Sequence, residues 1–197
     1  ISYVGDDTGW IAPALNNQKT AEAECICCCA DSKQEKEIKI EYLFLDLNTC
    51  DRCVGTDAVL DEVVKVLLPA LELAGYRVNY RKQEVTTAEI AKEYRFLSSP
   101  TILVNGQDIF DAITESDCGC CGEIAGVQVD CRVFEHEGKA FEIPTKEMLA
   151  DAIPKTLYQP SVCCRGEYQL PENLKRFFEG KEKMAAVSCC CESCKTC

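Results

Sequence analysis

The chain has 197 residues, a formal net charge of −12 and 17 cysteines. A chain of this length can bury one sizeable core, and its acidic balance argues against nucleic acid or an anionic membrane as a partner. No apolar run approaches the roughly 18 residues that a membrane span needs, so we expect no membrane insertion. No signal peptide is visible either.

The cysteines fall into groups rather than being spread evenly. An odd count, adjacent Cys-Cys pairs that cannot bridge without strain, and enough apolar sequence for a core all weigh against a secreted disulfide scaffold. Runs of cysteines fit thiolate ligation of a soft metal better. We therefore expect reduced or metal-bound cysteines in a cytoplasmic protein. An exported, disulfide-bonded protein is the alternative.

The first 37 residues have weak periodicity and predict a Cys-containing N-terminal arm. Apolar patterning then becomes strong, and we expect residues 38–158 to form one domain. A Gly- and Cys-rich stretch interrupts the pattern over 111–131 and predicts an inserted loop. Residues 159–197 predict a Cys-rich C-terminal extension.

The segment Ile38–Val54 organises the predicted domain. Its apolar run up to Leu47 suits a strand buried on both faces, and a helical pattern follows over residues 54–74. Cys50 and Cys53 would therefore lie where a strand turns into a helix. Backbone N–H groups and the helix dipole at that position favour a thiolate, which attacks disulfides and binds metals.

Further elements follow in a regular order. Pro69 predicts a kink or a restart within the helix, and residues 76–82 alternate as a second strand. The capping-box pattern Thr86–Glu89 opens a short helix. A third strand follows Pro100, and an Asn-Gly turn leads to a fourth strand near Gln107.

Three more elements are predicted beyond the insertion. Two apolar runs within 131–143 flank a turn at His136 and form a hairpin. Thr145 could cap a helix over 146–157, and a short amphipathic helix is predicted over 171–179.

This order of elements resembles the thioredoxin/glutaredoxin fold. The matching residues are Cys50 and Cys53 for the redox pair and Pro100, in Ser-Pro-Thr-Ile, for the cis-proline loop. The resemblance implies an α/β fold in which a mixed sheet is flanked by helices. It also implies thiol–disulfide exchange, in which Cys50 attacks and Cys53 resolves the mixed disulfide. Arg52 would help to hold Cys50 as a thiolate, while Asp51 would oppose it.

The stretch Asp130–Lys139 is similar, more narrowly, to a motif of uncharacterised Cys-rich thioredoxin-like proteins of anaerobes. Some relatives of those proteins belong to sets linked to metal and organometal handling. The resemblance implies a context of metal detoxification, not a particular reaction.

The remaining cysteines are predicted metal ligands. Gly119 and Gly122 let the backbone fold tightly, so the cysteines of the insertion could complete a tetrathiolate zinc or iron–sulfur site. A disulfide-bonded loop is the alternative there. The C-terminal cysteines have either the spacing of a ferredoxin-type motif or the character of a flexible chelating tail. The full set is Cys25, Cys27, Cys28, Cys29, Cys118, Cys120, Cys121, Cys131, Cys163, Cys164, Cys189, Cys190, Cys191, Cys194 and Cys197.

Three functions therefore stay open. The first is a thiol protein that acts in thiol–disulfide exchange, in the binding and transfer of a soft metal or metalloid, or in both. The second is a non-catalytic metal-binding or electron-carrying protein, and the third is an exported, disulfide-stapled assembly subunit. Thiolates select Zn, Cu(I), Hg, As(III) or Fe–S, and the sequence does not choose among them. The expected partner is a thiol or disulfide protein or a metal-transfer partner.

Overall fold

The computed structural model describes residues 36–110, 112–159 and 166–192, with side chains up to residue 186. Strands and helices alternate through the first half of the chain, and a second group of strands follows. In chain order the elements are β1 (Glu37–Phe44), α1 (Asp51–Leu73), β2 (Arg77–Glu84), α2 (Ala88–Glu93), β3 (Thr101–Val104), β4 (Gln107–Asp108), β5 (Thr114–Asp117), α3 (Gly119–Ala125), β6 (Asp130–His136), β7 (Lys139–Phe141), α4 (Lys146–Leu157) and α5 (Glu172–Glu192).

The first sheet has four strands in the order β2–β1–β3–β4. The central strand β1 runs parallel to β2 and antiparallel to β3, and β3 is antiparallel to β4. Tyr42 on β1 pairs with Lys82 on one side and with Ile102 on the other. Most of β1 is buried, as its continuous apolar sequence predicts. The predicted fold class, a mixed sheet with flanking helices, is confirmed, and it is consistent with a thioredoxin-like α/β fold.

Helix α1 begins at Asp51, three residues before the predicted start, so that Cys50 is its N-cap. The loop before it is held by Asp46, whose Oδ1 accepts hydrogen bonds from the backbone N–H groups of Asn48 (2.8 Å) and Thr49 (2.6 Å). This side-chain turn fixes where the helix starts. The helix continues past Pro69 without a restart.

The caps of the shorter helices agree with the sequence to within one residue. Thr87, rather than Thr86, caps α2 and accepts from the N–H of Ile90. Thr145 caps α4 as predicted, because its hydroxyl accepts from the N–H of Met148.

The predicted insertion forms a second sheet instead of an irregular loop. Its order is β5–β6–β7, all antiparallel, and α3 lies between β5 and β6 in the chain. The predicted hairpin is confirmed, with β6 ending at His136 and the turn formed by Glu137 and Gly138, both at positive φ. Strand β5 was not predicted because its residues, Thr-Glu-Ser-Asp, show no apolar alternation.

Buried Arg132 on β6 joins the two sheets. Its guanidinium donates to the carboxylate of Asp108 (2.6 Å) and to the carbonyls of Phe110 (2.8 Å) and Ala112 (2.9 Å). Its backbone N–H donates to the carbonyl of Ser99 at 2.7 Å. Strand β6 is therefore fastened to the loop that precedes β3.

Helix α5 covers α3 and is longer than the predicted helix over 171–179. Gly180, which interrupts the helical sequence pattern, lies against α3, where an added Cβ would be 2.2 Å from the carbonyl oxygen of Ala125. The glycine thus permits close approach of the two backbones and does not end the helix. In the described ranges, none of the helices combines the length and apolar character of a membrane span.

Candidate metal centre

Four cysteines from distant parts of the chain meet in the interior. The Sγ atoms of Cys50, Cys118, Cys121 and Cys131 all lie within 4.8 Å of one another. All four residues are buried, with at most 4% of any one exposed. Thiolates bound to one tetrahedral ion at about 2.3 Å lie about 3.8 Å from one another. The group, called the thiol cluster below, could therefore hold a metal ion.

Helix starts and one strand supply the four sulfurs. Cys50 and Cys118 are the N-caps of α1 and α3, and neither side chain is used for capping. Cys121 follows Cys118 by three residues, which places both on one face of α3. Cys131 lies on β6, and its Sγ is 3.3 Å from that of Cys121. The N–H of Cys118 donates to the carbonyl of Val129 at 2.9 Å, which ties the start of α3 to the approach to β6.

The side chain of Arg52 links α1 to the second sheet through hydrogen bonds. It is only 7% exposed, and its guanidinium donates to the carbonyls of Ser116 (3.1 Å), Asp117 (2.8 Å) and Cys131 (3.0 Å). A further bond at 2.5 Å reaches the carboxylate of Glu142. A side chain of α1 therefore fixes the backbone at Cys131 and directly before Cys118.

Two other described thiols lie outside the thiol cluster. Cys53 is fully buried, and its Sγ lies 3.4 Å from the hydroxyl of Ser99. Cys120 is partly exposed, and its thiol donates to the carboxylate of Asp51 at 3.9 Å. The structure therefore groups Cys50 with three cysteines of the predicted insertion site, and leaves Cys120 beside them.

The four thiols of the cluster shift one another's pKa values. Hydrogen bonds from Cys118, Cys121 and Cys131 put the pKa of Cys50 well below its usual range. Hydrogen bonds with Cys121 and Cys131 lower the pKa of Cys118 to about 7. The pKa values of Cys121 and Cys131 are raised, foremost by their bonds to Cys118. The shifts run in opposite directions because adjacent thiolates repel one another, so ionisation of one thiol disfavours ionisation of its neighbours.

The same ordering extends to the Cys50–Cys53 turn. The pKa of Cys53 is raised, first by its hydrogen bond to Cys50 and then by burial. Pro100 lies in the loop next to this turn, and the Ser99–Pro100 peptide bond is cis, as predicted. Arg52, predicted to act on the Cys50 thiolate, contacts backbone carbonyls of the second sheet as described above.

The other predicted ligands fall where no side chain is described. They are Cys25, Cys27, Cys28, Cys29, Cys163, Cys164, Cys189, Cys190, Cys191, Cys194 and Cys197. From the sequence we did not predict that Cys50 belongs to the same cluster as the cysteines of the insertion. No local signal indicates this pairing, because Cys50 lies 68 positions before Cys118 in the chain.

The fold and the thiol cluster together define a mixed α/β protein with a buried four-cysteine site that could hold a metal ion. A family model described as "Domain of unknown function (DUF2703)" matches residues 38–153, and the chain belongs to this family. No curated protein and no solved structure matches the chain. The family description carries no activity, so the chemistry of the thiol cluster has to indicate the function.

Proposed function

We propose that this protein binds one soft metal cation through the thiolates of the thiol cluster. The observation that carries the proposal is the convergence of four buried Sγ atoms within 4.8 Å. Four sulfurs around one point suit zinc or iron. In a [4Fe–4S] cluster each cysteine binds a different iron, so its sulfurs lie farther apart than around a single ion. The compactness of the site therefore favours one ion over a multinuclear cluster.

The protein surroundings suit the charge of such a site. Four thiolates and a divalent cation carry a net charge of about −2, which is costly to bury without compensation. The guanidinium of Arg52 lies on the backbone of the ligand-bearing segments, and the positive end of α1 faces Cys50. These groups would offset the charge and orient the ligands, as outer residues do in other metal sites.

A cation at this position would also be a structural link. Cys50 belongs to α1, whereas the other three ligands belong to the second sheet and α3. Binding would therefore fasten the two parts of the domain to each other. Because metal-binding free energy adds to folding free energy, loss of the cation should lower stability.

The test is the metal content of anaerobically purified protein, measured by native mass spectrometry and elemental analysis. We expect Cys131→Ser to lose one cation per chain relative to the unmodified protein. Cys53→Ser is the matched control, because Cys53 is also fully buried and lies outside the thiol cluster. Cobalt substitution gives a second readout, the intense visible bands of tetrahedral thiolate coordination. Equal metal content in both variants and the unmodified protein would overturn the proposal.

Thiol–disulfide exchange through Cys50 and Cys53 is the second candidate. The observation in its favour is the division of their pKa values, lowered at Cys50 and raised at Cys53. Against it, both thiols are fully buried. The carbonyl of Ser99, beside Pro100, is occupied by the N–H of Arg132 rather than open to a substrate. Reduction of a small chromogenic disulfide tests this candidate, which requires that Cys50→Ser abolish activity and Cys118→Ser retain it.

The wider context follows from the same features. The β2–β1–β3–β4 order and the Cys50-x-x-Cys53 turn at the start of α1 support a thioredoxin-like fold for the domain. Within that scaffold we propose a role in soft metal or metalloid handling in a reducing compartment such as the cytoplasm, where thiolates stay available. The partner would then be a thiol-containing donor or acceptor of the metal.

A further inference from the structure

We propose that the Cys120 thiol is the entry and exit ligand for metal, and that the metal arrives as a thiolate complex instead of a hydrated ion. This inference rests on the proposed function, because it assigns a route to the same site. The thiol cluster is sealed, since its four residues are at most 4% exposed. Of the six cysteines with described side chains, Cys120 is the one that is not buried.

The position of Cys120 connects the outside to the ligands. It lies between Gly119 and Cys121, so its backbone neighbours include one ligand directly. Its thiol reaches across to the carboxylate of Asp51 at 3.9 Å, and Asp51 directly follows the ligand Cys50. The contact between Cys120 and Asp51 therefore bridges the starts of α1 and α3, which together carry three of the four ligands.

Ligand exchange explains why a sulfur is needed there. An incoming complex has its metal bound to donor thiolates. The sulfur of Cys120 forms one bond to the metal, one donor sulfur–metal bond breaks, and the proton of Cys120 passes to the departing thiolate. Repeated exchanges move the metal from Cys120 to the neighbouring cluster sulfurs without a change of oxidation state. A free thiol at the rim thus replaces the opening that a hydrated ion would require.

The adjacent backbone suits this movement. Gly119 has no atom within 4 Å of where a Cβ would lie, so the segment before Cys120 is open on that side. The Cys120 side chain makes its described polar contact only with Asp51, and a contact of 3.9 Å to sulfur is weak. The thiol can therefore turn toward a partner at little cost.

The experiment compares loading rates of the cation-free protein from two zinc sources, hydrated Zn²⁺ and the zinc complex of glutathione. We expect Cys120→Ser to slow loading from the thiolate complex by about tenfold or more, the scale of outer-residue effects at metal sites. Loading from hydrated Zn²⁺ should be slow with or without Cys120, because the thiol cluster is sealed. The final stoichiometry and the cobalt spectrum should be unchanged. Cys53→Ser is the control and should leave both rates unchanged.

Two results would overturn the inference. Equal loading from the glutathione complex with and without Cys120 would remove its role, and loss of one bound cation in Cys120→Ser would make it a fixed ligand. The comparison is repeated in a variant in which eleven other predicted ligands are replaced by serine, so that none of their thiols can take the role of Cys120. These are Cys25, Cys27, Cys28, Cys29, Cys163, Cys164, Cys189, Cys190, Cys191, Cys194 and Cys197. Failure of the unmodified protein to bind any cation would instead reject the proposed function.

Discussion

Two Cys-x-x-Cys turns open helices in this protein, and they are used differently. In both, the first cysteine is an N-cap and the second lies three residues on, in the first helical turn. In the turn of α3 both thiols, Cys118 and Cys121, belong to the thiol cluster, whereas in the turn of α1 only Cys50 does. The same local motif therefore provides two thiols of the thiol cluster in one place and one in the other.

The surroundings of the second thiol explain the difference. Cys121 faces Cys131 on β6. Cys53 instead faces the first sheet, where Ser99 lies against its sulfur and the hydroxyl of Tyr42 donates to its carbonyl at 2.7 Å. A Cys-x-x-Cys turn thus fixes the geometry of a thiol pair but not its chemistry, which depends on what the tertiary structure brings opposite each sulfur.

The largest effect is expected for pH, which should change the cation affinity of the thiol cluster. Cys121 and Cys131 have raised pKa values and are protonated at neutral pH, while Cys118 has a pKa of about 7. These protons must leave when a cation binds, so affinity should rise with pH. We expect about tenfold per pH unit for each proton that cation binding releases.

Calorimetry in buffers of different ionisation enthalpy measures the proton release directly. It should detect protons released as the cation binds at pH 7. An affinity that does not change with pH would contradict the assigned protonation states.

Exchanging one thiol in each turn tests the comparison itself. Cys121→Ser removes a ligand and should weaken cation binding by more than the roughly 100-fold that loss of an outer residue costs. Cys53→Ser removes no thiol of the cluster, and a serine hydroxyl can keep the hydrogen bond to Cys50, so its loss of affinity should be much smaller. Competition with a chromogenic chelator gives both values. Similar losses in the two variants would mean that Cys53 shares the site.

The link between the turns is Arg52, which follows Cys50 by two residues and contacts the backbone before Cys118. Arg52→Lys keeps the charge but loses the fork that reaches several carbonyls at once. We expect cation affinity to fall by about 10- to 100-fold. Arg81→Lys, on an exposed face of the first sheet, is the control and should leave affinity unchanged.

The smallest effect is expected at Ser99, which distinguishes the α1 turn. Its hydroxyl lies against Cys53 and accepts from the N–H of Leu45 at 3.2 Å. Ser99→Ala leaves that buried N–H without its acceptor and should lower the free energy of unfolding by about 1–3 kcal/mol. Denaturant titration measures this. Cation affinity should stay unchanged, and a loss of binding would place Ser99 in the metal site.

The first sheet and its helices were predictable because local signals agree with the tertiary structure. The apolar run of β1, the cap at Thr145 and the turn before Gln107 each specify their element from nearby residues. The second sheet depends instead on buried guanidinium groups, such as that of Arg132, whose partners are distant in the chain. Short-range sequence patterns do not predict such contacts.

The candidate site divides in the same way. Spacing alone could place Cys118 and Cys121 together, since residues three apart share a helix face. It could not exclude Cys120, which lies outside the thiol cluster, or add Cys50, which lies 68 positions before Cys118. That last pairing depends on the fold of the whole domain.

Helix α5 belongs to the folded domain although it lies beyond the residues that the family model matches. The family match ends at residue 153, yet Asn173 on α5 bonds to both the N–H and the carbonyl of Asp130, the neighbour of Cys131. Phe177 on the same helix is fully buried. A protein cut at the family boundary would expose apolar surface and lose one contact that supports the thiol cluster. The unit to express, crystallise or graft into another protein therefore extends well past the sequence that defines the family.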